Sequence, residues 1–271
     1  MSSRSGAAIS AARARGRGAL IGYLPAGFPS YDGCLEAMRA LVDGGVDVVE
    51  VGLPYSDPVL DGPTIQAAAE QSLRGGTRIA DVLRTVEAVA GMGVATVVMT
   101  YWNPVLQYGP ARFAADLAAA GGSGLITPDL IPDEAAEWLA VSAEHDLERI
   151  FLVAPSSSGA RIASTTAAAS GWVYAASTMG VTGARATTSQ VAPALVARVR
   201  AATDLPVGVG LGVSNGTQAA EVAAYADGVV VGSALVRCLL DAATLPQGVA
   251  AVGALAADLA AGVRTAPSLA P

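Results

Sequence analysis

VDVVEVGLPYSDPVLDGPTIQ, residues 46–66, opens with an apolar, β-branched run, Val46 to Val51, that carries Glu50 one residue before its end. Such a run reads as a fully buried parallel strand, and a buried acid inside one requires a reason. The chain then enters a loop punctuated by Gly52, Pro54, Pro58, Gly62 and Pro63, which delivers Asp57 and Asp61 ahead of a helix beginning near Thr64. A strand-end glutamate followed by a loop aspartate suggests an acid/base pair.

Working outward, short β-branched runs alternate with Ala-rich helical segments at a spacing of roughly 25 to 35 residues, the mark of repeated βα units. Strands are expected at 19–23, 46–51, 95–100, 124–127, 149–154, 172–176, 206–210 and 227–231. Helices are expected at 31–42, 79–90, 111–120, 133–144, 160–169, 190–202, 216–225 and 249–262, with a further short helix ahead of the first strand. Eight strands in 271 residues, with no Pro/Ser/Gly linker between them, predict an α/β fold: a (β/α)8 TIM barrel forming a single domain over residues 1–271. The tail TAPSLAP, residues 265–271, lacks an apolar period and is expected to be disordered.

Composition removes several functions. With 23 acids against 16 bases and a net charge of −7, nucleic acid is disfavoured as the main partner, and Arg13, Arg15 and Arg17 read as the solvated face of a helix. No apolar run approaches the roughly 18 residues of a membrane span, and no secretory signal is read at the start, so a cytoplasmic protein is expected. Cys34 and Cys238 stand far apart and outside any CxxC motif, as a reducing compartment allows, and read as core fillers. All sixteen bases are arginine. Without lysine there is no Schiff-base aldol chemistry and no covalently held pyridoxal phosphate. With His145 alone, a three-histidine zinc site cannot be built, and no metal is expected. Chemistry is left to carboxylates, tyrosines, hydroxyls and backbone amides.

In such barrels a phosphate commonly sits between the loops after strands seven and eight. Here those loops are Gly210-Leu211-Gly212-Val213-Ser214 and Gly232-Ser233, the second leading into a helix over 234–239. Glycines permit close backbone approach, and a helix N-terminus directs partly positive amides at an anion, each worth roughly 0.3 to 2 kcal/mol. A third segment, Gly180-Val181-Thr182-Gly183 after strand six, reads either as a lid over the substrate or as a solvated loop.

At GYLPAGFP (22–29), VEVGLPYSDPVLDGPTIQ (49–66), MGVTGAR (179–185), GLGVS (210–214) and VVGSALV (230–236) the chain resembles the α subunit of tryptophan synthase, from about Gly18 to Leu240. The resemblance implies retro-aldol cleavage of indole-3-glycerol phosphate to indole and glyceraldehyde 3-phosphate. It makes Glu50 and Asp61 the catalytic acids and Tyr174 a residue that orients the substrate. Tyr23, Ile65, Met99, Tyr101, Ile126, Thr182 and Leu211 correspond to the apolar pocket around indole, and Gly183, Gly212, Gly232 and Ser233 to the phosphate side. It further implies no cofactor on this chain, and a pyridoxal-phosphate β subunit as partner in an α2β2 heterotetramer, met through Pro54, Asp57 and Asp129. Three places depart from the family pattern: Ser177-Thr178-Met179, where relatives carry an arginine; Pro128, where a smaller residue is commoner; and Leu60, where alanine is usual. A stand-alone lyase releasing free indole, another phosphate-binding barrel enzyme, and a non-catalytic barrel that only activates a β subunit remain as alternatives.

Overall fold

The computed structural model describes residues 4–176, 191–210 and 212–265. Eight strands, β1 Ala19–Pro25, β2 Val48–Gly52, β3 Ala95–Met99, β4 Gly124–Thr127, β5 Glu148–Val153, β6 Val173–Ala176, β7 Val207–Gly210 and β8 Gly228–Val231, follow one another around a closed barrel. Every neighbouring pair is parallel, and β1 closes the ring against β8. The (β/α)8 architecture is the one expected, with each strand within two residues of its expected bounds.

Period-two alternation sorts the strand residues into two cores. Ala19, Ile21, Val48, Ala95, Val97, Ile126, Ile150, Trp172 and Val230 form a cluster inside the barrel. Their chain neighbours, among them Leu20, Val49, Val51, Val98, Leu125, Phe151, Val173 and Val229, pack outward against the helices. Val48 inward and Val49 and Val51 outward leave Glu50 no direction but inward. In register, Tyr23 of β1 and Val97 of β3 flank it.

The helix Ser5–Ala14 closes the base, with Ile9 and Ala12 joining the interior cluster. Its first turn is capped across the barrel: the Glu148 carboxylate accepts the Ser5 amide at 3.1 Å, the Gly6 amide at 3.0 Å and the Ser5 hydroxyl, which in turn accepts Trp172 Nε1–H at 3.0 Å. Two elements differ from expectation. Residues 133–144 divide into a 3-10 turn, Pro132–Glu134, and the helix Ala136–Glu144. A helix at Trp102–Tyr108 was not anticipated; its Pro104 sits in the first turn, where a missing N–H costs nothing.

Leu245–Thr265 is long and apolar enough by composition to cross a membrane. In the fold it is an outer barrel helix. Val252, Ala256, Leu259, Ala260 and Val263 are buried in the core shared with Tyr31–Asp43, Gly216–Ala223 and Ser233–Leu240. Of the tail expected to be disordered, Thr265 ends this helix and residues 266–271 lie outside the described residues.

Candidate active site

Alternation carries Glu50, Tyr23, Met99, Leu152, Tyr174 and Val230 to the inner layer next to the carboxyl ends of their strands, where the interior apolar packing stops. There a cavity of about 430 Å³ opens, lined also by Leu60, Asp61, Ile65, Gly212, Gly232 and Ser233. That volume falls within the range of small-molecule sites. Two close approaches shape its wall. The Tyr23 hydroxyl lies over Gly52 and the Tyr174 hydroxyl over Gly210, so that a Cβ at either glycine would overlap the phenol.

Glu50 is 1% exposed, and neither of its oxygens has a hydrogen-bond partner among the described residues. Burial, reinforced by the charge of Asp61, pushes its carboxyl up to about 8. It is therefore a protonated acid at neutral pH, able to donate. Asp61, brought to the same cavity by the loop after β2, is also raised by burial, but a hydrogen bond from the Tyr101 hydroxyl holds it down. Two buried carboxyls in one cavity, both raised and one of them up to about 8, are groups that acid/base chemistry at neutral pH can use. The Tyr23 and Tyr174 hydroxyls are both raised, chiefly by burial and next by the neighbouring carboxylates, so both remain protonated donors.

At the end of β8, beside Tyr23, Gly232 precedes the helix Ser233–Leu240, whose N-terminus has no side-chain cap. Uncapped amides facing a cavity suit an anion. The neighbouring helix Gly216–Ala223 is different: Asp258 accepts the Gly216 amide at 2.6 Å and Asn215 accepts that of Gln218 at 2.9 Å. Of the glycine-rich loop after β7, Gly210, Gly212 and Val213 reach the cavity. Gly212 has φ +68, a left-handed turn that favours glycine.

Ile126, expected in the pocket wall, is fully buried inside the interior cluster. Tyr101 is not among the lining residues and reaches the site through its hydroxyl. Thr182, Gly183 and Leu211, together with Ser177-Thr178-Met179 and Gly180-Val181, lie outside the described residues. Pro54 is buried, Asp57 is exposed beside Ser56, and Asp129 accepts the Trp102 amide at 2.9 Å and 3.1 Å. Sequence reading missed Ser156 and Ser157, which line the cavity from the loop after β5. A Pro-Ser-Ser-Ser run at a strand end was the available signal. Among the described residues no group of His, Cys, Asp and Glu could hold a metal ion.

A parallel eight-stranded barrel whose mouth holds a cavity lined by two buried acids and by the uncapped start of a helix has the architecture of a barrel enzyme. Comparison with known proteins narrows the class. The family model described as tryptophan synthase alpha chain matches residues 9–264. The tryptophan synthase alpha chain of Acidothermus cellulolyticus is 63% identical over 97% of this chain and 98% of the relative. That of Salinispora arenicola is 62% identical over 96% and 97%. Tryptophan synthase from Mycobacterium tuberculosis superposes with a TM-score of 0.90 at 60% identity, over 97% of this chain and 99% of that one. The alpha subunit from Legionella pneumophila does so with 0.88 at 32% identity, over 97% and 99%. The chain belongs to the tryptophan synthase alpha chain family.

Proposed function

We propose that this cavity performs the family's reaction, with Glu50 as the proton shuttle and Asp61 as the electrostatic partner of the indole ring. By membership the chain is a carbon–carbon lyase of tryptophan biosynthesis, cleaving indole-3-glycerol phosphate to indole and glyceraldehyde 3-phosphate. Indole is a poor carbanion leaving group, so C3 must first be protonated. Glu50 donates that proton, and the ring takes up positive charge centred on its N–H. The Asp61 carboxylate faces that charge and stabilises it. The Glu50 carboxylate then accepts the proton of the glycerol hydroxyl as the carbon–carbon bond breaks. The bonding electrons restore the indole ring, the aldehyde forms, and Glu50 is again protonated. Proton and charge balance on one residue.

The observation that carries this reading is the state of Glu50: buried, raised to about 8, and with no hydrogen bond among the described residues to lock either oxygen. Tyr174 orients the substrate. Gly212, Gly232 and Ser233 hold the phosphate through backbone amides.

The chain has no lysine to hold pyridoxal phosphate and uses no cofactor of its own. Indole passes to a separate β subunit carrying that cofactor, in an α2β2 assembly in the cytoplasm. Four exposed apolar side chains support such docking: Val59, Leu60, Leu106 and Ile131 follow β2, β3 and β4, close in sequence to Pro54, Asp57 and Asp129.

The test is to mix the purified chain with indole-3-glycerol phosphate, with and without a β subunit, and follow indole. Slow release alone and strong stimulation by the partner are expected. Stimulation of the partner without cleavage would make the chain an activator only.

A further inference from the structure

We infer that Tyr101 is a positioning residue for Asp61, held in place by the helix Trp102–Tyr108 and the Asp129 carboxylate that caps it. The inference deepens the reading above and rests on Asp61 acting as the charge partner of the substrate ring.

The loop that delivers Asp61 is the long segment between β2 and the helix Pro63–Arg74. At its far end Gln66 Nε2 donates to the Asp61 carbonyl at 2.7 Å, and the Tyr101 oxygen accepts the Leu60 amide at 2.9 Å. The phenol thus holds the backbone beside Asp61, and its hydroxyl favours the ionised form of the Asp61 carboxyl. A second tie lies on the same loop: the Tyr55 ring packs on Tyr101 with centroids 5.4 Å apart, and its hydroxyl accepts Asn103 Nδ2–H at 3.0 Å. Asn103 and Tyr101 belong to the short helix and its N-cap position.

That helix has no cap of its own. The Trp102 amide is satisfied from the next strand's loop by Asp129, at 2.9 Å and 3.1 Å. Without it, the first turn presents an unpaired donor, and a seven-residue helix has little else to keep its start in place. Trp102 adds packing, its ring edge meeting Trp138 at 6.2 Å. The line from Asp129 through Trp102 and Tyr101 to Asp61 is therefore continuous in hydrogen bonds and covalent backbone. The titratable groups facing Asp61 are Glu50 from β2, Tyr23 from β1 and Tyr101 after β3. Of these, Tyr101 alone favours the ionised form of Asp61.

The test is the pH dependence of kcat/KM for indole-3-glycerol phosphate in Tyr101→Phe, which keeps the ring and removes the hydroxyl. Losing the donor raises the Asp61 pKa, so the acid limb of the profile moves to higher pH, and kcat/KM on that limb falls on the order of tenfold. Asp129→Ala is expected to shift the same limb in the same direction by a smaller amount, and Asp129→Asn, which retains an acceptor for Trp102, to restore it. An acid limb unmoved in Tyr101→Phe overturns the inference, as does an Asp129→Ala variant that loses rate uniformly with pH. Asp61→Asn is run alongside. Wild-type turnover there removes the role of Asp61 itself, whereas an inactive Asp61→Asn beside an unmoved Tyr101→Phe profile removes only the role of Tyr101.

Discussion

Two glutamates lie on the barrel strands, Glu50 at the mouth and Glu148 at the base, 1% and 3% exposed. Glu148 is fully engaged: two amides and a hydroxyl of the plugging helix bond its carboxylate. Glu50 has no such partner among the described residues and is pushed up to about 8. Equal burial has opposite meanings. A paired acid fastens an element, while an unpaired one holds a proton that it can give away, at a cost in stability that only chemistry explains.

Substituting both acids with glutamine breaks or sharpens this contrast. Glu50→Gln, assayed with a β subunit present, is expected to lose about 10²- to 10⁴-fold in lyase rate while keeping the fold. Glu148→Gln, at the far end of the barrel, should retain its rate below its melting temperature. Equal losses in the two variants would erase the distinction.

Stability should run the other way. Glu148→Ala leaves the Ser5 and Gly6 amides and the Ser5 hydroxyl without their acceptor, costing roughly 2 to 4 kcal/mol in chemical denaturation. A change within error would show that the helix Ser5–Ala14 is held by Ile9 and Ala12 alone.

The smallest effect is in the pH dependence of stability. A carboxyl whose folded pKa lies above its unfolded value of 4.5 binds its proton more tightly in the native state, so Glu50 contributes a stability loss as pH rises from 4.5 to about 8. Glu50→Gln removes that dependence. Its melting temperature relative to wild type should rise across this window and level off above it; a constant difference would mean that Glu50 is charged throughout.

The strands were legible because parallel barrel strands read as β-branched runs, and Glu50 stood out as an acid inside one of them. The loop after it offered both Asp57 and Asp61, and only the family resemblance singled out Asp61. The helix Trp102–Tyr108 was not legible, because its cap comes from Asp129, 27 residues away on another loop. For the same reason Tyr101 read as an apolar wall rather than as the group that holds the loop beside Asp61, since its hydrogen bond from the Leu60 amide, 41 residues back along the chain, leaves no local pattern. The contrast between the two helix N-termini was hidden likewise: Asn215 is visible as a cap, but Asp258 reaches Gly216 from the final helix.

The most direct measurement is an infrared titration of the protonated carboxyl band in wild type minus Glu50→Gln, recorded on the intact chain across neutral pH. A band present at pH 7 that disappears with a midpoint near 8 is the predicted result. Disappearance in the ordinary glutamate range would mean that Glu50 meets its substrate already ionised, with no proton to deliver to C3.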